Sequence, residues 1–266
     1  MPYVFTNGIR LSFERSGRGE RVLMIMGQGA AGRVWTLHQT PALARAGYQA
    51  ITFDNRGIPP SDVPPGKYSL ADLVADTKGL IEALDAAPCR IVGASLGSLV
   101  AQELAIGWPH LVRCAVLIAT KSRSDATRAA LGRAERALLE SGVKLPSAYQ
   151  AAMAGLQMLS PSTLNDDPTA SLWLETLGVS LGSGGGTGQA WIDTNADRRH
   201  ALREITAPCR VIGFADDLIT PPHLGAEVAD AIPDCDFVEI PHCGHSGYLE
   251  RPEEVNSAIL EFLDKN

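Results

Sequence analysis

Eight short runs of aliphatic and β-branched residues recur along this chain, and the helical patterns between them leave few possible layouts. The runs are Tyr3–Phe5, Ile9–Glu14, Arg21–Met26, Tyr48–Phe53, Pro88–Val92, Arg113–Ile118, Cys209–Phe214 and Asp236–Ile240. The first two flank Asn7-Gly8 and alternate in polarity, which predicts a hairpin. The other six are short and apolar, as expected of strands covered on both faces of a parallel sheet. Helical patterns separate them. Trp35–Ala46 ends at Gly47, a C-cap. Ser69–Leu84 sets Leu73, Val74, Leu80 and Ile81 on one face, with Ser69 as N-cap and Asp72 three residues on, a variant of the capping box. A further helix runs from Leu96 toward Trp108, and the last spans Pro252–Leu263.

The alternation breaks between positions 122 and 203. Three helices are expected there, over Asp125–Leu139, Pro146–Leu159 and Ala170–Leu181, and a fourth over Trp191–Arg203. The glycine-rich strip from Gly182 to Gly188 reads as a connector, or as a hinge if the insertion moves. The insertion enters after one strand and leaves before another. It should therefore sit above the carboxyl ends of the strands, where ligands bind in α/β proteins. The domain reading is a core of 1–121 and 204–266 carrying a helical insertion of 122–203.

Composition narrows the class. A chain of 266 residues, 45% hydrophobic and 20% charged, suits one large domain that needs no disulfide or metal to hold its core. The formal charge of -7 argues against a broad phosphate-binding surface, so no nucleic-acid partner is expected. No apolar stretch of membrane-spanning length and no signal-peptide pattern stands out. Five scattered cysteines, an odd count, do not read as a disulfide framework. The expectation is a cytoplasmic protein, monomer or homodimer, acting on a small molecule with no cofactor.

Ile91-Val-Gly93-Ala-Ser95-Leu-Gly97 carries the chemistry. A strand leads into it and a helix leaves it. A serine in that strand-to-helix turn presents its hydroxyl, while Gly93 and Gly97 let backbones crowd. The helix start aims free N–H groups at developing negative charge. One oxyanion donor should be the N–H of Leu96. The second is expected in Met26-Gly-Gln28-Gly29, with Gln28 N–H the choice. A dinucleotide or phosphate loop is the rival reading of these glycines. No Gly-x-x-x-x-Gly-Lys-Ser/Thr string is present, and the oxyanion reading is preferred.

A serine nucleophile needs a histidine base and an orienting carboxylate. Among six histidines, His242 and His245 follow the last strand run, in Pro241-His-Cys-Gly-His245-Ser-Gly247. His245 is preferred because small residues flank it, as in an open loop tip. A metal cluster of His242, Cys243 and His245 lacks further ligands at suitable spacing. For the acid, Asp216 and Asp217 both follow the penultimate strand; Asp217 is preferred. The chain order is then Ser95, Asp217, His245, as expected for a nucleophile elbow.

These motifs together resemble the α/β-hydrolase superfamily over essentially the whole chain. The resemblance rests on Met26-Gly-Gln-Gly29, Asp54-Asn-Arg-Gly57, Gly93-Ala-Ser-Leu-Gly97, Asp217-Leu-Ile-Thr-Pro-Pro222, Gly244-His245 and Glu250-Arg-Pro252. It implies an α/β-hydrolase fold: a mostly parallel eight-stranded sheet, helices on both faces and a helical cap insertion. It also implies Ser95, Asp217 and His245 as the triad. Two departures stand out. Met26 replaces a frequent histidine, and Asp54-Asn-Arg-Gly-Ile-Pro-Pro-Ser61 carries prolines where the family favours glycine.

The insertion is similar to the caps of small hydrolases that tailor or cleave natural products. Its apolar Met153, Leu156, Leu159, Trp173, Leu177 and Trp191 are candidates to line a hydrophobic pocket. The implied activity is hydrolysis of a carboxylic ester through an acyl-enzyme. The alternatives are carbon–carbon hydrolysis, elimination, cofactor-free peroxidation, or a binding protein that kept the fold. Family members that use an aspartate nucleophile are a poor match to Ser95.

Overall fold

The computed structural model describes residues 2–182 and 188–266. Eight strands make one sheet: β1 (Tyr3–Thr6), β2 (Ile9–Gly17), β3 (Glu20–Ile25), β4 (Tyr48–Phe53), β5 (Cys89–Ala94), β6 (Val112–Ile118), β7 (Cys209–Phe214) and β8 (Cys235–Ile240). Their order is β1-β2-β4-β3-β5-β6-β7-β8. The β1–β2 hairpin pairs Thr6 with Ile9. Its turn residues Asn7 and Gly8 have φ of 47° and 78°, both left-handed, as the tight hairpin requires. β2 runs antiparallel to β4, and every later pairing is parallel.

Ten helices flank or cap this sheet among the described residues: α1 (Gln39–Arg45), α2 (Leu70–Ala83), α3 (Leu96–Gly107), α4 (Ala126–Ser141), α5 (Ser147–Met158), α6 (Pro161–Leu164), α7 (Asp167–Gly182), α8 (Pro222–Ala231), α9 (Gly247–Glu250) and α10 (Pro252–Lys265). The core has two halves. Leu23 and Ile25 face one side, with Leu73, Leu80, Leu99 and Val228 from α2, α3 and α8. Val22 and Met24, the alternate residues of β3, face Leu43, Val255, Ile259 and Leu263 from α1 and α10. β5 and β7 are buried at every position, as covered strands should be. β8 is not, because it is the last strand of the sheet and most of its residues are half-buried or exposed.

The Ser69 capping box forms in full, with Asp72 N–H donating to Ser69 Oγ and Ser69 N–H to Asp72 Oδ2. The helix expected over Trp35–Ala46 is broken instead. A 3-10 turn covers Gly32–Leu37, His38 breaks the helical path at φ -140°, and α1 follows. Pro41 accounts for this. In one continuous helix its ring would meet the carbonyl of Leu37, whereas in the first turn of α1 its missing N–H costs nothing.

The insertion lies between β6 and β7 and contains α4 to α7. α4 is capped by Asp125, whose Oδ1 accepts the Arg128 N–H, and ends at Gly142 with φ 66°. α5 packs closely on α7: a Cβ at Gly155 would sit 3.1 Å from Leu174 Cδ2. The expected helix over Trp191–Arg203 does not form. Only 3-10 turns at Gln189–Trp191 and Ala201–Glu204 remain. Asp193 and Asp197 accept the N–H groups of Asn195 and Arg199, two residues on, and these local bonds compete with a helix. The hinge reading of Gly182–Gly188 falls on positions 183–187, outside the described residues. Among the described residues, no helix is long and apolar enough to cross a membrane.

Candidate active site

The site gathers where β3, β5, β7 and β8 end. Ser95 follows β5 and is the N-cap of α3, with φ 51° and ψ -118°. For a residue with a Cβ, that conformation costs roughly 1–2 kcal/mol. Its surroundings hold it there. The Ser95 N–H donates to Ile118 O at 2.9 Å, and its carbonyl accepts from the Ser98 N–H at 2.9 Å. Gly93 and Gly97 make the turn possible. A Cβ at Gly93 would stand 2.5 Å from Gly97 O, and one at Gly97 would collide with the Ile25 carbonyl. Leu96 is the first residue of α3, so its N–H has no partner within the helix.

His245 Nε2 lies 3.0 Å from Ser95 Oγ, and its Nδ1 lies 2.8 Å from Asp217 Oδ2. A carboxylate at Nδ1 selects the tautomer protonated there, leaving Nε2 free to accept the Ser95 hydroxyl proton. Asp217 is fully buried at its side chain. Its Oδ1 accepts the N–H groups of Ile219 and Thr220 at 2.7 and 2.8 Å, and its Oδ2 accepts the Thr220 hydroxyl at 2.8 Å. Burial pushes this carboxyl up, but the neighbouring His245 and the Thr220 hydrogen bonds outweigh that and hold it below its ordinary value. Asp216 stays outside this chain of bonds; its own N–H donates to Cys243 O. His242 is exposed, at φ 57°. Cys243 is buried, and burial pushes its thiol up to about 12, so it packs as a small apolar residue.

The loop of His245 is not the open tip that its small residues suggest. His245 is buried, and its neighbours are small because other chain segments press on them. A Cβ at Gly244 would lie 2.7 Å from Leu159 C, and one at Gly247 would lie 2.5 Å from the Phe214 ring. The Ser246 N–H also donates to Met158 O. The end of α5 therefore covers the histidine loop.

In the glycine loop after β3, the two glycines beside Gln28 serve different ends. A Cβ at Gly27 would come within 3.2 Å of Ser95 Cβ, so Gly27 permits close approach. Gly29 has open space but φ 73°, so its need is conformational. With Ala30 N–H donating to Gly27 O, residues 27–30 form a type II turn. Gly27, Gly29 and Gly32 do stand at Gly-x-Gly-x-x-Gly spacing, so spacing alone favours neither reading. The structure weighs against a phosphate cradle, because its amides are engaged. Gly29 N–H donates to Gln189 Oε1 and Gly32 N–H to Asp54 Oδ1, both at 2.8 Å. The backbone of Gly32 also abuts Phe53, where the fingerprint would begin an α-helix.

The Asp54–Ser61 stretch frames this loop. Asn55 Nδ2 donates to Met26 O at 3.1 Å. Arg56 makes a two-pronged ion pair with buried Asp76, at 2.6 and 2.7 Å. Ser61 Oγ donates to Asp54 O and accepts the Ser12 N–H. The two prolines at 59 and 60 leave all of these contacts in place.

The pocket candidates differ in burial. Leu159 is buried and Met153, Trp173 and Leu177 are half-buried, while Leu156 is 54% exposed. Leu177 lies in the α5–α7 contact at Gly155. The Trp191 ring carries Lys67 Nζ at 3.6 Å from its centre. Two residues that tie the insertion to the site escape sequence reading. Gln189 bonds the glycine loop, and Glu250 accepts from Gly244, Ser160 and Thr163. Gln189 has no local pattern because its partners lie far away in sequence, and the Glu250-Arg-Pro252 motif does not reveal that Glu250 reaches Ser160 and Thr163, about 90 positions away.

Known proteins share this sequence pattern and fold. The model of the "Alpha/beta hydrolase family" matches residues 22–258. A Mycobacterium tuberculosis protein named "Putative non-heme bromoperoxidase BpoC" is 46% identical over 257 residues, covering 96% of this chain and 98% of the relative. Its crystal structure superposes with a TM-score of 0.92 at 44% identity, covering 96% of each chain. A protein of Azorhizobium caulinodans named "Putative carbamate hydrolase RutD" is 27% identical over 265 residues, 98% of both chains. A thermophilic esterase from Thermogutta terrifontis gives a TM-score of 0.86 at 26% identity, covering 99% of this chain and 98% of the other. The elbow, the sheet order and the family match converge: this chain belongs to the α/β hydrolase family.

Proposed function

We propose that the chain is a serine-nucleophile acyl-transfer enzyme acting on a small, largely hydrophobic carboxylic ester. The observation that carries this is the unbroken run Ser95 Oγ, His245, Asp217, with gaps of 3.0 and 2.8 Å. Ser95 Oγ attacks the ester carbonyl as its proton passes to His245 Nε2. The oxyanion is held by the N–H groups of Leu96 and Gln28, each contributing about 3 kcal/mol to the transition state. Asp217 holds the His245 ring and its positive charge. The alcohol departs with the proton from His245, leaving an acyl group on Ser95. Water then gives a proton to His245 and attacks the acyl carbon, and His245 returns that proton to Ser95 Oγ as the acid is released.

A second reading concerns the acceptor. Hydrogen peroxide in place of water would release a peroxy acid from the same acyl-enzyme, and the peroxy acid would in turn oxidise a halide. The 46% identity to the protein named for bromoperoxidase activity favours this route. Neither step asks for a metal or an organic cofactor. The five unpaired thiols suit action in a reducing compartment, the cytoplasm.

Stopped-flow turnover of a 4-nitrophenyl alkanoate tests the reading. A burst of one nitrophenolate per chain, absent in Ser95→Ala, supports the acyl-enzyme. Steady turnover unaffected by Ser95→Ala overturns it. Repeating the assay with hydrogen peroxide and bromide separates the acceptors: brominated product that requires both the ester and Ser95 marks the peroxide route.

A further inference from the structure

Gln189 is buried at the point where the chain returns from the insertion to the core. Its carboxamide joins two loops, the glycine loop after β3 and the Asp54–Ser61 stretch. Oε1 accepts the Gly29 N–H at 2.8 Å, and Nε2 donates to the Arg56 carbonyl at 2.8 Å. Both ends of the carboxamide are thus used, in one orientation only. The residue before it is equally constrained. The Tyr68 N–H donates to Gly188 O at 3.1 Å, and a Cβ at Gly188 would enter the Tyr68 ring at 2.5 Å. The Tyr68 ring in turn lies against Gly57, next to Arg56.

The Gly29 end has a specific consequence. In the type II turn at 27–30, the peptide joining Gln28 to Gly29 is free to rotate toward a type I turn. Such a rotation turns the Gly29 N–H around and moves Gln28. A buried acceptor on that N–H blocks it. From this geometry we propose that Gln189 is the positioning residue of the oxyanion loop, fixing the Gln28 backbone in the turn whose Gly27 abuts Ser95. The insertion's return segment thereby sets the strength of oxyanion stabilisation. The inference rests on the acyl-transfer reading above and adds a residue to it.

The test measures ester turnover per active site, counted by fluorophosphonate labelling. Gln189→Leu keeps the volume and removes both bonds. It should lower kcat at least about tenfold with KM within about threefold, because the loss falls on the transition state. Inhibition by a trifluoromethyl ketone, whose adduct carries the oxyanion, should weaken in proportion to kcat/KM. Gln189→Glu is the second variant. Its carboxyl can replace both bonds only when protonated, so its activity relative to wild type should rise severalfold from pH 8 to pH 6. A Gln189→Leu kcat within twofold of wild type overturns the inference. Wild-type protein that fails to label at Ser95 overturns the acyl-transfer reading itself, and this inference with it.

Discussion

Ser160 gives both its N–H and its hydroxyl to a single oxygen of Glu250, at 3.0 and 2.8 Å. The Thr163 hydroxyl joins them at 2.6 Å, and the other Glu250 oxygen accepts the Gly244 N–H at 2.7 Å. One carboxylate therefore locks the start of α6 to the residue before His245. Glu250→Ala leaves these donors without an acceptor, some of them buried. We predict a stability loss of about 2 kcal/mol in urea unfolding. Activity should fall as well, since the His245 loop loses its anchor. Glu250→Gln, which keeps an acceptor oxygen, should lie between.

The glycines divide by cause, and so should their substitutions. Gly97→Ala drives a methyl into the Ile25 carbonyl, which belongs to the sheet and cannot move aside. Gly8→Ala has open space and only a left-handed φ of 78°. Gly8→Ala should cost about 1 kcal/mol. Gly97→Ala should cost about 3 kcal/mol or more, as overpacking against backbone does. Thermal or urea unfolding of the two variants side by side checks the contrast.

Arg56 and Asp76 are paired out of water, with side chains 9% and 2% exposed. Asn7 Nδ2 adds a further bond to Asp76 at 2.8 Å. Removing Arg56 leaves the Asp76 charge buried, and removing Asp76 leaves Arg56 only the longer contact to Asp72 at 3.9 Å. Asp76→Asn or Arg56→Leu should destabilise by about 3–5 kcal/mol. Arg56→Lys should also destabilise, since an ammonium cannot reproduce the two-pronged contact. Denaturant unfolding reads all three.

Much of this arrangement was legible in local pattern. Ser95 sits where an apolar run meets a helix between two glycines, and that spacing is itself the geometry of the turn. The Ser69 cap and the Asn7-Gly8 turn are local in the same way. Other features depend on packing between distant segments. Gln189 lies 160 positions from Gly29 and 133 from Arg56, so nothing near it marks its two partners. The small residues around His245 suggested an open tip, yet they are small because α5 and Phe214 press on them. The helical pattern over Trp191–Arg203 predicts a helix, but Asp193 and Asp197 satisfy backbone N–H groups locally. Pro41, within an otherwise helical stretch, was a visible sign that the helix over Trp35–Ala46 would break.

The lowered Asp217 carboxyl makes folding sensitive to acid. Its folded value lies below the ordinary 3.8. Its contribution is therefore complete above that value and is lost as pH falls through the lower folded one, because the unfolded chain takes up the proton first. Between pH 4 and pH 2, wild-type stability should fall more steeply than that of Asp217→Asn. Urea unfolding at half-unit pH steps measures this, and parallel curves would show that Asp217 is not held below its ordinary value.

The central claim is that Ser95 is a nucleophile activated by His245. Its most direct test is intact-protein mass spectrometry after exposure of the folded chain to a fluorophosphonate, with peptide mapping and a time course. The account predicts one adduct, on Ser95, abolished in Ser95→Ala and slowed by orders of magnitude in His245→Ala. No adduct on folded wild-type protein, or an adduct that persists in Ser95→Ala, would contradict it.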